Sequence, residues 1–330
     1  MRNFTFKGLL LTAVFMLLGC LSIQAANDDL ITKQITIKLD KAGTLPDRIA
    51  SSKKYKITNL KIIGEINGTD WNMIREMAGR NYQESSTEGN LSVLDLSEAK
   101  IVAGGDYYYD DNLFNNKVYT SNDEIGEYAF AYCSGLTSLT LPVGITSIGE
   151  FAFSGCSGLT SLTLPAGITS IGEYAFSGCS GLTSLNLPAD ITSIDKYAFS
   201  GCSRLTSLTL PAGITSIGEF AFSYCSGLTS IYVYAEKVPR IGRYAFEGCA
   251  SRKSTLYVPK GTYDNYRLSE FGYFENIVEF DATGIDKTTT STDVEEVSRY
   301  SLNGQRLVGP TKGLNIVKYS DGSVKKVAVE

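Results

Sequence analysis

A block of 23 residues repeats through the middle of the chain and limits the folds open to it. The first block reads LTSLTLPVGITSIGEFAFSGCSG. The four blocks of this length begin at Leu136, Leu159, Leu182 and Leu205. A fifth block at 228–251 has one extra residue, and a half block, IGEYAFAYCSG, precedes the set at 125–135. Because one block is too short to bury its own apolar side, consecutive blocks must stack on one another.

The apolar residues of a block follow the pattern L-x-x-L-x-L-x₃-I-x₂-I-x₄-F-x₂-C. The segment SLTL alternates as a half-buried strand does, and Pro165 ends it in the second block because proline cannot donate to a strand ladder. ITSI predicts a second short extended segment, and EYAFSGC predicts a compact helical or 3₁₀ turn. The prediction is a repeat solenoid, a right-handed stack of coils with short parallel strands and short helical turns.

One cysteine occupies the same place in every block. The six are Cys133, Cys156, Cys179, Cys202, Cys225 and Cys249. A residue that occurs once per coil forms a column, so we predict an inward-facing ladder of buried structural thiols. Disulfides are the alternative, but side chains in a column point the same way, whereas a bridge needs crossed Cα–Cβ vectors. A linear column also cannot wrap a tetrahedral metal site.

The chain contains no histidine. This excludes Ser-His-Asp and Cys-His catalysis, zincin helices and mixed Cys/His zinc sites. No spacing of carboxylates or lysines points to another catalytic centre, so we predict a protein that is not an enzyme and that uses no cofactor and no metal. The formal charge is −5 without any cluster of Lys or Arg, which argues against nucleic acid as a partner.

The first 25 residues have the composition of a secretory signal, with Arg2 and Lys7 before an apolar run and small residues after it. Two cleavage sites remain open. LLGC at 17–20 resembles a bacterial lipobox, which would remove 19 residues and make Cys20 a lipidated N-terminus, whereas IQA at 23–25 suits ordinary signal peptidase. Either way we predict an exported protein, at the cell surface or outer membrane or extracellular, with membrane attachment only through a lipid on Cys20.

The unit LxxLxLPxxIxxIxxxAFxxCxx resembles the BspA-like subclass of bacterial leucine-rich repeats, which occur on surface proteins of anaerobic bacteria and some protists. The resemblance covers 125–260. It implies a leucine-rich repeat solenoid in a non-enzymatic surface protein that binds other proteins, with adhesion to host matrix or to other cells as the usual role. Fold does not fix function, so a glycan-binding surface protein, for nutrient capture or attachment, is the alternative.

Segment 26–124 is predicted to be an N-terminal cap with degenerate repeats, similar to that of the same family. Its strands contain Leu60, Ile62, Leu94 and Leu96. Asp70–Ala78 is predicted to be a helix capped by the aspartate. The insertion 103–124 is predicted to be an exposed loop. Its aspartates, Asp106, Asp110 and Asp111, either keep the loop soluble or form a weak calcium site.

The repeat array itself occupies 125–253, and three segments follow in the predicted organisation. Residues 254–281 resemble the C-terminal cap that closes the array in this family. Residues 282–297 form a polar linker. Residues 298–330 predict two hairpins, turning at Asn303-Gly304 and at SDG, 320–322. This small β tail resembles the C-terminal sorting modules of type IX secretion cargo.

Two repeated surfaces are candidates for partner binding. The strand face presents a ladder of Ser161, Thr163, Ser184, Asn186, Ser207 and Thr209. Such a ladder binds ordered water in some proteins, but β-propensity on a soluble sheet face explains it more simply. The second surface is a stripe of aromatic residues that precede each Ala-Phe: Tyr128, Phe151, Tyr174, Tyr197, Phe220 and Tyr244. The stripe is either a satellite core between coils or an exposed surface that binds proteins or sugars.

Overall fold

The computed structural model describes residues 30–111, 116–282, 296–301, 306–307, 313–319 and 324–329. The predicted leader with Cys20 and nearly all of the predicted linker lie outside these ranges. Within the described residues, none of the helices combines the length and the apolar character that crossing a membrane requires.

A main sheet of ten parallel strands runs through the described chain from the N-terminal cap to the C-terminal cap. In spatial order, which is also chain order, its strands are Ile35–Lys38, Asn59–Ile66, Val93–Ile101, Ser138–Thr140, Ser161–Thr163, Ser184–Asn186, Ser207–Leu210, Ser230–Val233, Thr255–Pro259 and Asn276–Phe280. Equivalent residues of adjacent blocks pair, such as Leu139 with Leu162 and Leu208 with Ile231. The 23-residue period therefore sets the register, and each apolar position becomes a buried column.

A second sheet contains one two-residue strand from each coil, all parallel. Its strands are Glu124–Ile125, Ser147–Ile148, Ser170–Ile171, Ser193–Ile194, Ser216–Ile217 and Arg240–Ile241. The isoleucine of each strand points inward, and Ile171 has no exposed surface. The core lies between this short-strand sheet and the main sheet. It is closed along a third side by the segment that contains Ala-Phe and the cysteine.

This third segment, the turn segment, spans 151–156 in the first block and is not a helix. It is a series of turns in which Ser154 N donates to Phe151 O at 3.0 Å and Cys156 N donates to Phe153 O at 3.0 Å. Phe151 has φ +53°, a left-handed conformation that interrupts helical geometry. The predicted helical or 3₁₀ turn is therefore confirmed as a compact turn, and helical geometry is wrong at Phe151.

The inner phenylalanines of the turn segments fill the centre of the solenoid. They are Phe130, Phe153, Phe176, Phe199, Phe222 and Phe246, all buried. Their rings stack from coil to coil with centroids 4.9 Å apart for Phe153 and Phe176 and 5.5 Å for Phe222 and Phe246. Each inner ring stacks on those of the neighbouring coils, and the end rings Phe130 and Phe246 pack against aromatic residues of the caps. The core is therefore continuous although no coil has a core of its own.

Backbone hydrogen bonds between turn segments run in one direction. Phe151 N donates to Glu173 O at 3.0 Å, and Phe153 N donates to Ala175 O at 2.7 Å. Alternate residues of each turn segment thus donate to carbonyls of the next one. The first turn segment has accepting carbonyls but no preceding coil, and the last has donors but no following coil.

The N-terminal cap supplies the donors that the first turn segment needs. Trp71 Nε1 donates to Ala129 O at 2.9 Å, and the Tyr108 hydroxyl donates to Glu127 O at 2.9 Å. The fully buried guanidinium of Arg75 donates to Ala129 O at 3.0 Å and also to Tyr128 O. Because a buried carbonyl without a donor costs about 1–3 kcal/mol, these side chains replace the N–H groups of a missing coil.

The cap helix spans Gly68–Met77, and its N-cap is Asn67 rather than Asp70. Asn67 Oδ1 accepts from Thr69 N at 3.1 Å, while the Asp70 carboxylate accepts from Asn67 N at 3.0 Å. The aspartate is therefore the third helical residue of a capping box. It is fully buried and also accepts from Gly43 N at 2.6 Å and Leu45 N at 2.8 Å.

The insertion at 103–124 forms an antiparallel hairpin, Gly104–Asp111 with Asn116–Thr120, and not the predicted exposed loop. Its strand buries Tyr108 and Tyr109, which explains why an acidic, tyrosine-rich segment is ordered. Asp106 is exposed and accepts from the Thr69 hydroxyl at 2.9 Å. The described residues contain no group of acidic or cysteine side chains placed to hold a metal ion, so the calcium alternative gains no support.

The remaining helices are short: Leu45–Arg48, Ser51–Lys54 and Tyr263–Arg267, with a 3₁₀ helix at Glu270–Tyr273. The tail forms a four-stranded antiparallel sheet in the order Arg306–Leu307, Glu296–Ser301, Gly313–Tyr319 and Val324–Val329. This pairing agrees with two hairpins, although the predicted turn residues at 303–304 and 320–322 lie outside the described ranges.

Candidate functional site

The cysteine column lies inside the solenoid, and its six thiols are free and buried. Five of them donate to the carbonyl of the inner phenylalanine one coil earlier, for example Cys156 Sγ to Phe130 O at 2.9 Å and Cys179 Sγ to Phe153 O at 3.2 Å. Burial raises the pKa of the Cys249 thiol to about 12. These thiols are packing groups with satisfied donors, not ligands or nucleophiles.

The strand face is the outward side of the main sheet. Ser161, Thr163, Ser184 and Asn186 are exposed, whereas Ser207 and Thr209 are half-buried. Asn186 pairs in register with Thr163 and with Thr209. The array thus presents parallel rows of small neutral side chains without a formal charge.

The two ends of the strand face differ in chemistry. Near the N-terminal end, Lys61 Nζ lies 2.7 Å from Glu98 and 3.3 Å from Asp95. Burial alone would raise the pKa of Asp95, but hydrogen bonds from Ser97 and Lys61 outweigh it and lower the pKa. The hydrogen bonds to Glu98 and Asp95 raise the pKa of Lys61.

At the C-terminal end, Tyr232 and Tyr257 occupy the positions held by threonines and asparagine elsewhere. Their rings stack with centroids 4.4 Å apart, and Phe280 meets Tyr232 edge-on at 6.2 Å. Burial against these neighbours raises the pKa of Tyr232 to about 12. All three rings are half-exposed, so the face grades from a charged end to an aromatic end.

The predicted aromatic stripe forms a stacked column, which we call the aromatic ladder. It consists of Tyr128, Phe151, Tyr174, Tyr197, Phe220 and Tyr244, each with a positive φ between 53° and 58°. Centroids of Tyr174 and Tyr197 are 4.5 Å apart with planes 4° from parallel. Tyr109 of the insertion hairpin extends the ladder, 4.0 Å from Tyr128.

Stacking determines what the ladder can bind. Five members are half-buried, and each inner ring has both faces covered by its neighbours, so only ring edges and hydroxyl groups reach solvent. Stacking on a sugar requires a free ring face, which the inner rings lack. The stripe therefore packs adjacent coils together over most of its length. It does not offer a glycan a row of free ring faces.

The ladder ends differently at Tyr244. This ring is 53% exposed and tilted by 32° from Phe220. Beside it is a groove of about 450 Å³ between the last turn segment and the 3₁₀ helix, lined by residues 241–247 with Glu270 and Tyr273. Tyr273 is held there by its hydroxyl, which donates to Cys249 O at 3.0 Å.

Sequence reasoning missed two exposed tyrosines of the turn segments. Tyr132 and Tyr224 stand where the other blocks have a left-handed glycine, and both have a positive φ. A Cβ added at Gly155 would lie 2.6 Å from the Tyr132 ring, and one at Gly248 would lie 2.7 Å from Tyr224. Each tyrosine ring thus lies over the glycine of the next coil. The replacement of SGC by AYC or SYC in the aligned blocks was the available signal.

The stacked 23-residue coils, the parallel main sheet and the buried leucine columns define a leucine-rich repeat solenoid. Residues 123–253 match the family model described as BspA type leucine rich repeat region, in six copies. The repeats of the array are therefore similar to that type of leucine-rich repeat. The comparison with curated proteins gave no match.

Solved structures of bacterial leucine-rich proteins resemble parts of the chain. The leucine rich repeat protein of T. pallidum is 31% identical over 42% of this chain and 63% of its own, with a TM-score of 0.39. A leucine rich cell surface protein from Faecalibacterium prausnitzii A2-165 is 25% identical over 63% of this chain and 49% of its own, with a TM-score of 0.39. The chain thus spans less than two thirds of either neighbour. Pneumococcal vaccine antigen PcpA is 15% identical over 75% of this chain and 68% of its own, with a TM-score of 0.38.

Proposed function

We propose that this protein is exported to the bacterial cell surface and binds another protein, of the host matrix or of another cell, through the strand face. The observation that carries the proposal is the continuous outward side of the main sheet, in register from coil to coil. Leucine-rich repeats of this type are typically binding scaffolds rather than enzymes. A repeated surface without a short motif suits recognition over a large area.

The dimensions and chemistry of the strand face support this role. Ten strands about 4.8 Å apart span roughly 43 Å, which is enough for a protein contact of standard size when the bordering loops take part. Aromatic residues dominate the binding energy of most protein interfaces. The half-exposed group of Tyr232, Tyr257 and Phe280 therefore forms the expected energetic centre, with the Ser/Thr rows as surrounding contact.

Charge and bulk placed on the strand face test the proposal. Thr163→Arg and Thr209→Arg put a long cation into the middle of the rows, whereas Thr169→Arg and Thr215→Arg put the same cation beside the short-strand sheet. Binding of each variant to immobilised extracellular-matrix proteins and to bacterial cells is measured by surface plasmon resonance. We expect the first pair to weaken binding at least tenfold and the control pair to leave it within twofold. Equal effects of both pairs would contradict the assignment to this face.

Export and attachment have their own test, the intact mass of the protein from its native host. A lipidated chain that starts at Cys20 indicates a membrane-tethered lipoprotein, and a chain that starts at Ala26 without lipid indicates ordinary signal cleavage. In the second case, deletion of 298–330 tests the tail as a sorting signal. Protein that keeps residues 1–25 in the cytoplasm would contradict export.

A further inference from the structure

The last turn segment carries backbone donors that have no acceptor in the described part of the chain. In earlier coils, the equivalent groups donate forward, as Phe220 N does to Arg243 O at 3.1 Å and Phe222 N to Ala245 O at 2.8 Å. The next groups in this series are the N–H groups of Tyr244, Phe246 and Gly248. No hydrogen bond joins these three to another described residue.

The same segment exposes an aromatic face. Tyr244 is the last ring of the aromatic ladder, and no described aromatic ring stacks on its outer side. The Arg243 guanidinium approaches the ring, with its carbon 5.5 Å from the centroid. An outward N–H row beside a ring that no further ring covers repeats, at the end of the array, the surface that every inner coil offers to its successor, and a stacking ligand would displace the Arg243 guanidinium from this ring.

The groove provides room for an occupant. It holds about 450 Å³, within the range of sites that bind small ligands or a few residues. Its far wall is Tyr273 and Glu270 of the 3₁₀ helix, and Glu247 lies on the near wall. Glu247 and Glu270 are exposed and make no ion pair within the described residues, so their carboxylates are available to a ligand.

The array itself indicates the chemistry of that occupant. Between coils, carbonyls of alternate peptide units accept from this N–H row while an aromatic ring stacks at 4.5–5.1 Å. We propose that the end groove binds a short peptide segment of a partner protein, with a tyrosine or phenylalanine stacked on Tyr244 and its carbonyls accepting from Tyr244 and Phe246. The mode is backbone pairing at an open edge with one side-chain anchor.

The C-terminal cap sets a further requirement on the peptide. Phe271 and Phe274 already pack against Phe246, with centroids 5.7 Å and 5.3 Å away. They occupy the place that the inner phenylalanine of a following coil would take. The residue two positions after the aromatic anchor must therefore be small, so the ligand is not a complete copy of a turn segment.

The test uses the full chain and a synthetic peptide, acetyl-GEYASSG-amide, which copies residues 172–178 with the inner phenylalanine replaced by serine. Titration calorimetry and hydrogen exchange of residues 242–249 report affinity and location. We expect saturable binding that slows exchange at these amides. The peptide acetyl-GEAASSG-amide should bind at least tenfold more weakly, because it lacks the aromatic anchor.

Variants separate the site from general adhesiveness. Tyr244→Ala should weaken binding at least tenfold, and Tyr244→Phe should keep it within threefold. Tyr132→Ala, which removes an exposed left-handed tyrosine at the opposite end of the array, should leave it within twofold. Loss of binding in Tyr132→Ala equal to that in Tyr244→Ala would overturn the proposal, as would exchange protection confined to residues outside 242–249 and 270–273. Saturation transfer to methyl glucoside or methyl galactoside stronger than to the peptide would overturn it in favour of a glycan site.

This inference is independent of the strand face. Thr163→Arg and Thr209→Arg should leave peptide binding unchanged, so loss of matrix-protein binding in those variants and loss of peptide binding in Tyr244→Ala are separate outcomes. Failure of the peptide to bind while the strand-face variants behave as expected would reject the groove site alone.

Discussion

Gly155 and Gly178 hold equivalent places in neighbouring blocks, and the structure predicts different costs for the same change to alanine. Their φ values are nearly equal, 70° and 72°. At such a positive φ, a residue with a Cβ lowers the free energy of unfolding by about 1–2 kcal/mol relative to glycine. The lower conformational entropy of the unfolded alanine chain offsets about 0.4–1 kcal/mol of this loss. The surroundings differ: an alanine Cβ at 178 would meet nothing closer than 3.7 Å, whereas at 155 it would lie 2.6 Å from Cδ1 of Tyr132.

The magnitudes follow from these contacts. In Gly178→Ala only the positive φ is unfavourable, so the free energy of unfolding should fall by about 1 kcal/mol. Gly155→Ala adds the displacement of the Tyr132 ring from its rotamer, about 0.5–1.5 kcal/mol, and the loss of its packing over the glycine. The expected total is about 2–3 kcal/mol, so the two substitutions should differ by about 1–2 kcal/mol.

Urea unfolding followed by circular dichroism measures the difference, with Gly201→Ala as a second control because its φ is 75° and its nearest neighbour is 3.7 Å away. A double-mutant cycle with Tyr132→Ala should recover a coupling energy of about 1–2 kcal/mol, because removing the ring frees the space. If Gly155→Ala and Gly178→Ala agree within about 0.5 kcal/mol, or if the cycle shows no coupling, the ring does not constrain the glycine and the reasoning is refuted.

Three further predictions concern the core, the cap and pH. Phe176→Ala should cost about 3–5 kcal/mol in urea unfolding because the ring is fully buried between two stacked neighbours. Phe246→Ala should cost about as much, because Phe271 and Phe274 of the cap take the place of the ring of a following coil, and a cost below about 1 kcal/mol would contradict this closure of the core. Asp70→Ala removes the acceptor of three backbone N–H groups. It should lower the free energy of unfolding by about 3 kcal/mol, and Asp70→Asn should lower it less. A loss below about 1 kcal/mol for Asp70→Ala would mean that water replaces the carboxylate. Burial raises the pKa of the Cys179 thiol well above its usual value, so the unfolded chain loses this proton first and stability falls as pH rises above about 8.5. Between pH 7.5 and 9.5 the thiol should contribute a loss of about 1.4 kcal/mol, so Cys179→Ala should flatten the measured pH dependence by that amount, and an unchanged slope would place the thiol in contact with solvent.

Periodicity was sufficient to predict most of the solenoid. A fixed interval forces Leu139, Leu162 and their equivalents into one column whatever the local backbone does, so the strands, their register and the buried cysteines all follow from counting. In the cap, where the interval is lost, similarity to degenerate repeat strands predicts Leu60 and Leu94 in strands, where they are buried.

Local conformation was less predictable, because composition does not reveal it. A left-handed tyrosine or phenylalanine is uncommon, and nothing in EFAFSGC indicates that Phe151 adopts φ +53°. The sequence alone does not distinguish Asp70 from Asn67 as the N-cap, because both residue types cap helices equally well. The sequence of the hairpin at 104–120 predicts a loop because Gly and Asp disfavour strands, but burial of Tyr108 and Tyr109 stabilises the strands.

The candidate sites also differ in whether the sequence predicts them. The strand face and the aromatic stripe could be named from the repeat, since both recur once per block. The end groove could not, because it depends on where the repetition stops and on how the cap residues Glu270 and Tyr273 lie against the last coil. A position is easy to predict when it is repeated and hard to predict when it occurs once.

Oxidation of a buried thiol reports that its coil has opened to solvent. While a coil is closed, its sulfur donates to a carbonyl of the coil before it, as Cys202 does to Phe176 at 3.4 Å, and no oxidant reaches it. Sulfenic or sulfonic acid at a given cysteine therefore marks a past excursion of that coil into solvent. Peptide mapping of purified protein that has been aged without a thiol reductant would therefore show which coils have opened, with the terminal coils the most oxidised.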